Sequence, residues 1–330
     1  MRVRAPAKIN LHLRVGPARD DGFHPLLSWM CTVGLFDTLE FSFPTQVDPP
    51  GGGADDTCAN ALLTLASDDP ALPTDAGVNL VTRAATALAD TLSASREGPR
   101  TGKRVSAFLN KRIPTGAGLG GGSSDAAATL VALNRLWDAK RSNAQLAEIG
   151  ATIGSDVPLF LHGPSSVCSG RGEVVRPIER PAPRWALLVM PKIGISTASV
   201  YRMFDAMRRS DSAHRGRFDS AHHEKSVVVN EPEWGTWVRL DACSLLPRLV
   251  NDLESAAFAV EPTVGELRTS LEENLKRPVR MSGSGSTLFT LFDERDEAEH
   301  AARRVTTTDA RTEVVEVAPL VPSPGTPGEG

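Results

Sequence analysis

The chain has 330 residues, enough for two domains with a core each. Hydrophobic residues make up 41% and charged residues 23%, the balance of an ordinary globular protein rather than a disordered or fibrous one. A net charge of −4 argues against nucleic acid as the main partner, while leaving room for a local basic site. The longest purely apolar runs, such as 185–190, are about six residues, so no segment is expected to span a membrane. Arg2, Arg4 and Lys8 stand near the start without the apolar stretch of a signal peptide, and the expected location is the cytoplasm. Cys31, Cys58, Cys168 and Cys243 form no Cys-x-x-Cys pair and read as reduced thiols that fill the core.

Residues 3–15 open the chain as a strand. Ile9, Leu11, Leu13 and Val15 alternate with Lys8, Asn10, His12 and Arg14. That alternation puts Lys8 and Asn10 on one side, which from the strand alone is a solvated edge face. Residues 31–43 are rich in strand formers. Residues 48–57, containing Pro49, Pro50 and Gly51 to Gly53, read as a turn or mobile excursion. A helix is predicted over 78–92, and a short strand over 105–110 that leads into a glycine run. A helix over 126–137 carries Leu130, Leu133 and Trp137 on one face. Another helix is predicted over 143–153, with a further one starting in 157–161. Residues 185–191 are an apolar strand between breakers.

The stretch 208–230 is polar with little periodicity and reads as a surface insertion. Its His222 and His223 lack the acidic or cysteine companions of a metal site. Residues 245–259 and 262–275 read as helices, and 279–281 and 287–292 as strands around a glycine turn. The Pro/Gly-rich end, 319–330, is expected to be disordered. There is no internal repeat. Strands and helices mix without strict alternation, which points to the α+β class.

The glycine run holds the most chemistry. Five glycines stand between Gly116 and Gly122, followed by Ser123, Ser124 and Asp125. Such a loop can turn its amide N–H groups toward one point, and the helix start behind it adds unpaired N–H groups and partial positive charge. Ser and Asp at that start are good N-caps. Together these features make a phosphate cradle. A P-loop is excluded, because Gly121 is followed by Gly122 and Ser123 rather than by lysine. The dinucleotide pattern G-x-G-x-x-G matches at Gly116, Gly118 and Gly121, yet Asp138, at roughly the right distance, has no strand before it. A flexible linker is the plain alternative, and the apolar helix that follows at once opposes it.

The loop Pro114-Thr115-Gly116-Ala117-Gly118-Leu119-Gly120-Gly121-Gly122-Ser123-Ser124 resembles the second motif of the GHMP kinase superfamily, in which such a loop wraps the phosphates of ATP. Ala5-Pro6-Ala7-Lys8-Ile9-Asn10-Leu11 resembles that superfamily's opening motif, and Arg280 to Thr287 its third. Asp21-Gly22-Phe23-His24, Gly154-Ser155-Asp156-Val157-Pro158 and Gly170-Arg171-Gly172-Glu173 stand in family order, as do 195–201 and 251–254. The resemblance covers most of residues 1–295, while 48–58 and 208–230 have no clear counterpart.

The resemblance implies a two-domain architecture. An N-terminal part similar to ribosomal protein S5 domain 2 would cover 1–178, and a C-terminal ferredoxin-like α/β sandwich 179–318, with 319–330 as a tail. It implies phosphorylation of a small-molecule hydroxyl with ATP and Mg²⁺. Lys8 and Asp156 would be the catalytic pair, with Lys8 offsetting negative charge and Asp156, at a helix start, taking the hydroxyl proton. Residues 114–124 would hold ATP, and Ser124 could ligate Mg²⁺. Asn10, Phe23 and His24 would hold the substrate. The family has Tyr where this chain has Phe23, a change that keeps ring stacking and loses a phenol hydrogen bond. Phe23-His24 and the triple glycine imply a cytidyl diphosphate sugar-alcohol as substrate. A homoserine or mevalonate type of kinase stays open, as does a non-catalytic ligand-binding homologue, although Lys8 and Asp156 are both kept. Oligomeric state is not indicated.

Overall fold

The computed structural model describes residues 1–44, 62–73, 77–94, 104–215 and 231–319. Among these residues ten strands form two sheets. The first contains β1 (Arg2–Val15), β2 (Leu26–Ser42), β3 (Leu63–Ser67), β4 (Val105–Asn110), β5 (Ser165–Gly170) and β6 (Val174–Pro177). β2 is the spine of this sheet. One of its edges pairs antiparallel with β1; the other is shared, Leu26 to Cys31 pairing with β5 and Thr38 to Ser42 with β4. Helices α1 (Leu80–Ala94), α2 (Gly121–Leu136) and α3 (Asn143–Ile153) pack with this sheet around Leu88, Leu109, Leu130, Leu133 and Trp137. A single turn, α4 (Leu159–His162), follows.

The second sheet is antiparallel, with β7 (Trp185–Pro191), β8 (Arg280–Met281), β9 (Leu288–Phe292) and β10 (Ala310–Glu316) in the order β10-β7-β9-β8. Its helices are α5 (Thr197–Arg215), α6 (Trp234–Trp237), α7 (Ala242–Leu245), α8 (Glu254–Val260), α9 (Pro262–Leu275) and α10 (Arg295–Arg304). Strand order fourth-first-third-second, with helices in the two crossovers, is the ferredoxin-like arrangement. The whole is α+β. A shared core of Ile9, Trp29, Leu119, Leu188 and Phe289 lies between the sheets. Leu13 bridges Asn251, and Val33 bridges Val317.

β1 pairs only with β2, yet the face that the strand alone would leave to solvent is covered. Lys8, Asn10 and His12 are all buried. Alternation along a strand tells which residues share a face, but not that the glycine loop and the 154–158 turn will close over the polar one. His12 meets Trp234 and Trp237 edge-on, and burial, then the charge of Arg14, pushes its imidazole down to about 4.

Other elements depart from expectation for local reasons. α2 begins at Gly121, inside the glycine run, with Gly120 as its N-cap and no side-chain cap bond, so Ser123 to Asp125 form the first turn rather than the cap. The helix expected over 245–259 is broken around Asn251, whose Nδ2 donates to the carbonyls of Met281 and Gly283. α5 continues to Arg215, through the start of the expected insertion. Residues 48–57, 216–230 and 320–330 lie outside the described residues. Cys31 and Cys168 are buried and their thiols are pushed up to about 12 by burial, whereas Cys243 is exposed and fills no core. Among the described residues no helix is long and apolar enough to cross a membrane.

Candidate active site

A cavity of about 500 Å³ lies where the two sheets meet, walled by β1, the glycine loop, the 154–158 turn and the start of α5. The loop from Pro114 to Gly120 closes onto α2. The first helical bond there runs from Ser124 N to Gly120 O, so the amides of Gly121, Gly122 and Ser123 precede it. Gly118 and Gly120 have φ of +76° and +69°, the region glycine enters without strain. A Cβ on Gly118 would come within 2.2 Å of the Ser282 carbonyl oxygen. The third motif therefore braces the loop at closest backbone approach. Ser282 Oγ donates to Gly118 O, and Thr287 N to Ala117 O. Of residues 114–124, all line the cavity except Leu119 and Ser124. The Leu119 side chain is in the inter-sheet core. Ser124 is turned inward, its Oγ buried without a hydrogen-bond partner.

Lys8 enters the cavity from β1. Its Nζ donates to Asn10 Oδ1 at 2.7 Å and Gly118 O at 3.0 Å, and stands 3.7 Å from Asp156 Oδ2. Asn10 is fixed in turn, with Nδ2 donating to Ser28 Oγ. The Asp156 side chain is 31% exposed on the cavity wall. It does not begin a helix. α4 starts at Leu159 after Pro158, so the turn 154–158 and Lys8 define its surroundings, and no helix dipole is needed.

A second lysine, missed in the sequence, lies under the other end. Lys111 Nζ donates to Asp37 Oδ2 at 2.5 Å and to Asp125 Oδ2 at 2.9 Å, all three being buried. Asp37 Oδ1 also accepts from the amides of Arg112 and Ile113, which ties β2 to the start of the loop. Burial pushes the Asp125 carboxyl up to about 7, with Lys111 opposing and Asp37 adding to the rise. Burial pulls Lys111 down, but the two carboxylates outweigh it and raise it overall. Leu72, Pro73, Val78, Leu80 and Leu109 make an apolar wall at this end.

His24 and Phe23 part company. His24 is buried, its Nδ1 2.8 Å from Gly16 O and its Nε2 3.5 Å from Asp205 Oδ2. Its ring lies 5.0 Å from that of Tyr201, the chain's single tyrosine, which does line the cavity. Burial, then the charge of Asp156, pushes the Tyr201 phenol up to about 12. Phe23 is 49% exposed and neither it nor His24 is on the cavity wall; the Arg171 guanidinium sits 4.6 Å over the Phe23 ring. Phe23 and His24 thus stand off this cavity wall, whereas Tyr201, in ring contact with His24, is on it. Its signal in the sequence, a lone aromatic in 195–201, gained meaning only when α5 brought it to β2.

A glycine loop on a helix start, with a lysine-aspartate pair beside it, is the machinery of a phosphoryl-transfer enzyme. Residues 79–164 match the family model for the GHMP kinases N terminal domain, and 230–310 that for the GHMP kinases C terminal. The chain belongs to the GHMP kinase family. It is 38% identical over 300 residues to a 4-diphosphocytidyl-2-C-methyl-D-erythritol kinase of Nocardioides sp., covering 91% of each chain. A protein of the same name from Synechococcus sp. is 36% identical over 304 residues, covering 91% of this chain and 90% of that one. A crystal structure of 4-(cytidine 5'-diphospho)-2C-methyl-D-erythritol kinase superposes with a TM-score of 0.66 at 31% identity, over 97% of this chain and 100% of that one. Homoserine kinase from Cytophaga hutchinsonii shares the fold, with a TM-score of 0.62 at 16% identity over 97% of this chain and 94% of that one.

Proposed function

We propose that this chain transfers the γ-phosphoryl group of ATP to the 2-hydroxyl of 4-diphosphocytidyl-2-C-methyl-D-erythritol, giving the 2-phosphate and ADP. This is a step of non-mevalonate isoprenoid precursor synthesis, expected in the cytoplasm. The observation that carries the reading is the Lys8–Asp156 pair, set between the glycine loop and the Tyr201 end of one cavity. The names of relatives at 35–38% identity support the particular substrate. On this reading residues 1–178 hold the nucleotide and 179–318 complete the site.

Asp156 takes the proton of the attacking hydroxyl. Its carboxylate is open to the cavity, and position supplies much of the effect. Lys8 is locked by Asn10 and Gly118, so its charge is aimed at no reorganisation cost toward the oxygen that becomes negative. The glycine-loop amides and the start of α2 receive the ATP phosphates. Asn10 holds Lys8, and Tyr201, backed by His24, bounds the nucleobase end.

For Mg²⁺ the donors fit: the Ser123 hydroxyl and Asp156 carboxylate are hard oxygens on the wall, with the unpartnered Ser124 Oγ behind them. Among the described residues no group of three or more His, Cys, Asp or Glu could cage a metal. The ion would take most ligands from phosphate and water, and would supply charge neutralisation to the phosphoryl group. A coupled ADP-release assay over the cytidyl alcohol, homoserine and mevalonate tests the proposal. Turnover of the cytidyl alcohol far above the other two is expected. Preference for another alcohol, or no ADP from any, would sink it.

A further inference from the structure

Among the described residues, three cationic side chains line the cavity: Lys8, Lys111 and Arg171. Lys8 is committed to Asn10, Gly118 and Asp156, and Lys111 to two buried carboxylates. Arg171 is the least committed. Its side chain is 45% exposed, and its ion-pair partner, Glu173, is at 3.9 Å. The other Glu173 oxygen, Oε2, accepts from the Arg171 backbone amide at 2.6 Å and fixes the turn rather than the guanidinium.

Position gives this cation its meaning. Arg171 lies on the turn between β5 and β6, where Gly172 N donates to Ser169 O. That turn abuts the reaction centre: a Cβ on Gly172 would lie 3.8 Å from Asp156 Oδ1. On its other side the guanidinium rests on Phe23, whose neighbour His24 contacts Tyr201. Arg171 therefore stands between the carboxylate that meets the hydroxyl and the Tyr201 ring that meets the base. A substrate with a nucleobase at one end and a reacting alcohol at the other carries its diphosphate in the middle.

We propose that Arg171, propped on the Phe23 ring, receives the diphosphate of the nucleotide-linked alcohol and so sets the preference for a diphosphate-bearing acceptor. The proposal rests on the function proposed above. A planar guanidinium presents paired N–H donors that match phosphate oxygens, and stacking on a ring pre-orders it without using those donors. Phe23 then acts as the platform for the cation rather than as the clamp on the base.

The test measures binding of CDP and of cytidine by calorimetry to the full chain, with the ATP site saturated by a non-hydrolysable analogue. Wild type should prefer CDP. Arg171→Met keeps the length of the side chain and removes its charge. It should weaken CDP by about tenfold to a hundredfold, the range for a hydrogen bond to a charged group, and leave cytidine unchanged. Arg171→Lys should recover part of the loss. Turnover assays should show KM for the cytidyl alcohol rising, with KM for ATP unchanged. If Arg171→Met binds CDP as tightly as wild type, or weakens cytidine equally, the assignment of Arg171 falls while the kinase reading stands. Wild type that binds neither ligand overturns both.

Discussion

Two lysines face aspartates in the same cavity, and they do so in opposite ways. Lys8 has one carboxylate, 3.7 Å away and partly exposed. Lys111 has two, at 2.5 and 2.9 Å, in a cluster closed to solvent. The first pair leaves its aspartate open to a reactant. The second uses up its charges on one another and on the amides of Arg112 and Ile113. Charge at a site is thus not by itself chemistry: an open carboxylate can act on a substrate, while a closed cluster fixes the loop that the substrate meets.

The largest effect should come from opening that contrast at Asp156. Asp156→Asn should keep its melting temperature and lose roughly 10²–10⁴ in turnover, about 3–5 kcal/mol of barrier. ADP release at saturating substrates reads it, and turnover within a few-fold of wild type would remove Asp156 as the base. The closed cluster should answer the other way. Asp37→Asn leaves Lys111 half-paired in a buried site, which costs about 3–5 kcal/mol of stability. A denaturant midpoint that does not move would show that the cluster holds nothing.

Protonation sharpens the comparison further. Burial pushes the Asp125 carboxyl up to about 7 in the folded chain, from its ordinary value of 3.8. Between those values the folded chain keeps a proton that the unfolded chain has released. The stability from this group is therefore fully present below about pH 4 and is lost as pH rises through about 7. Asp125→Asn should flatten the fall in stability over that window. A slope that persists unchanged in the variant would assign it to another group.

The smallest effects separate two aromatics. Tyr201→Ala removes a ring from the cavity wall and should weaken the cytidyl substrate by roughly 1–3 kcal/mol, by analogy with base stacking. Phe23→Ala, on an exposed residue, should change stability by less than about 0.5 kcal/mol. Its effect on the substrate should be smaller than that of Tyr201→Ala. Equal losses of affinity would restore Phe23 to the clamp, and a large drop in melting temperature would make it core.

Much of the site was legible before the structure. Gly116 to Gly118, Gly120 to Ser123, Lys8 and Asp156 line one cavity, because backbone chemistry in a glycine loop depends on local sequence and motif order carries the rest. The strands 105–110 and 185–191 and the helices 143–153 and 262–275 were also readable, having clear periods or breakers. β3, β6 and α10 were not. β3 and β6 are short, and α10 buries only Ala298 and Ala301 under a charged surface, so neither period stands out.

What the sequence determined by itself is the character of single segments: the α+β class, the glycine loop at a helix start, and the charged side chains, Lys8 and Asp156, that stand beside it. Contacts between distant segments were decided by the tertiary structure. Asp37 meets Lys111 across 74 positions, Gly118 meets Ser282 across 164, and Tyr201 reaches His24 from helix α5. Burial also settled what the strand pattern left open, covering the polar face of β1 and leaving Phe23 exposed. The reason is physical. Local patterns specify a segment's own preferences, whereas burial and pairing depend on which other segment covers it, and that is fixed only when two sheets close on a common core.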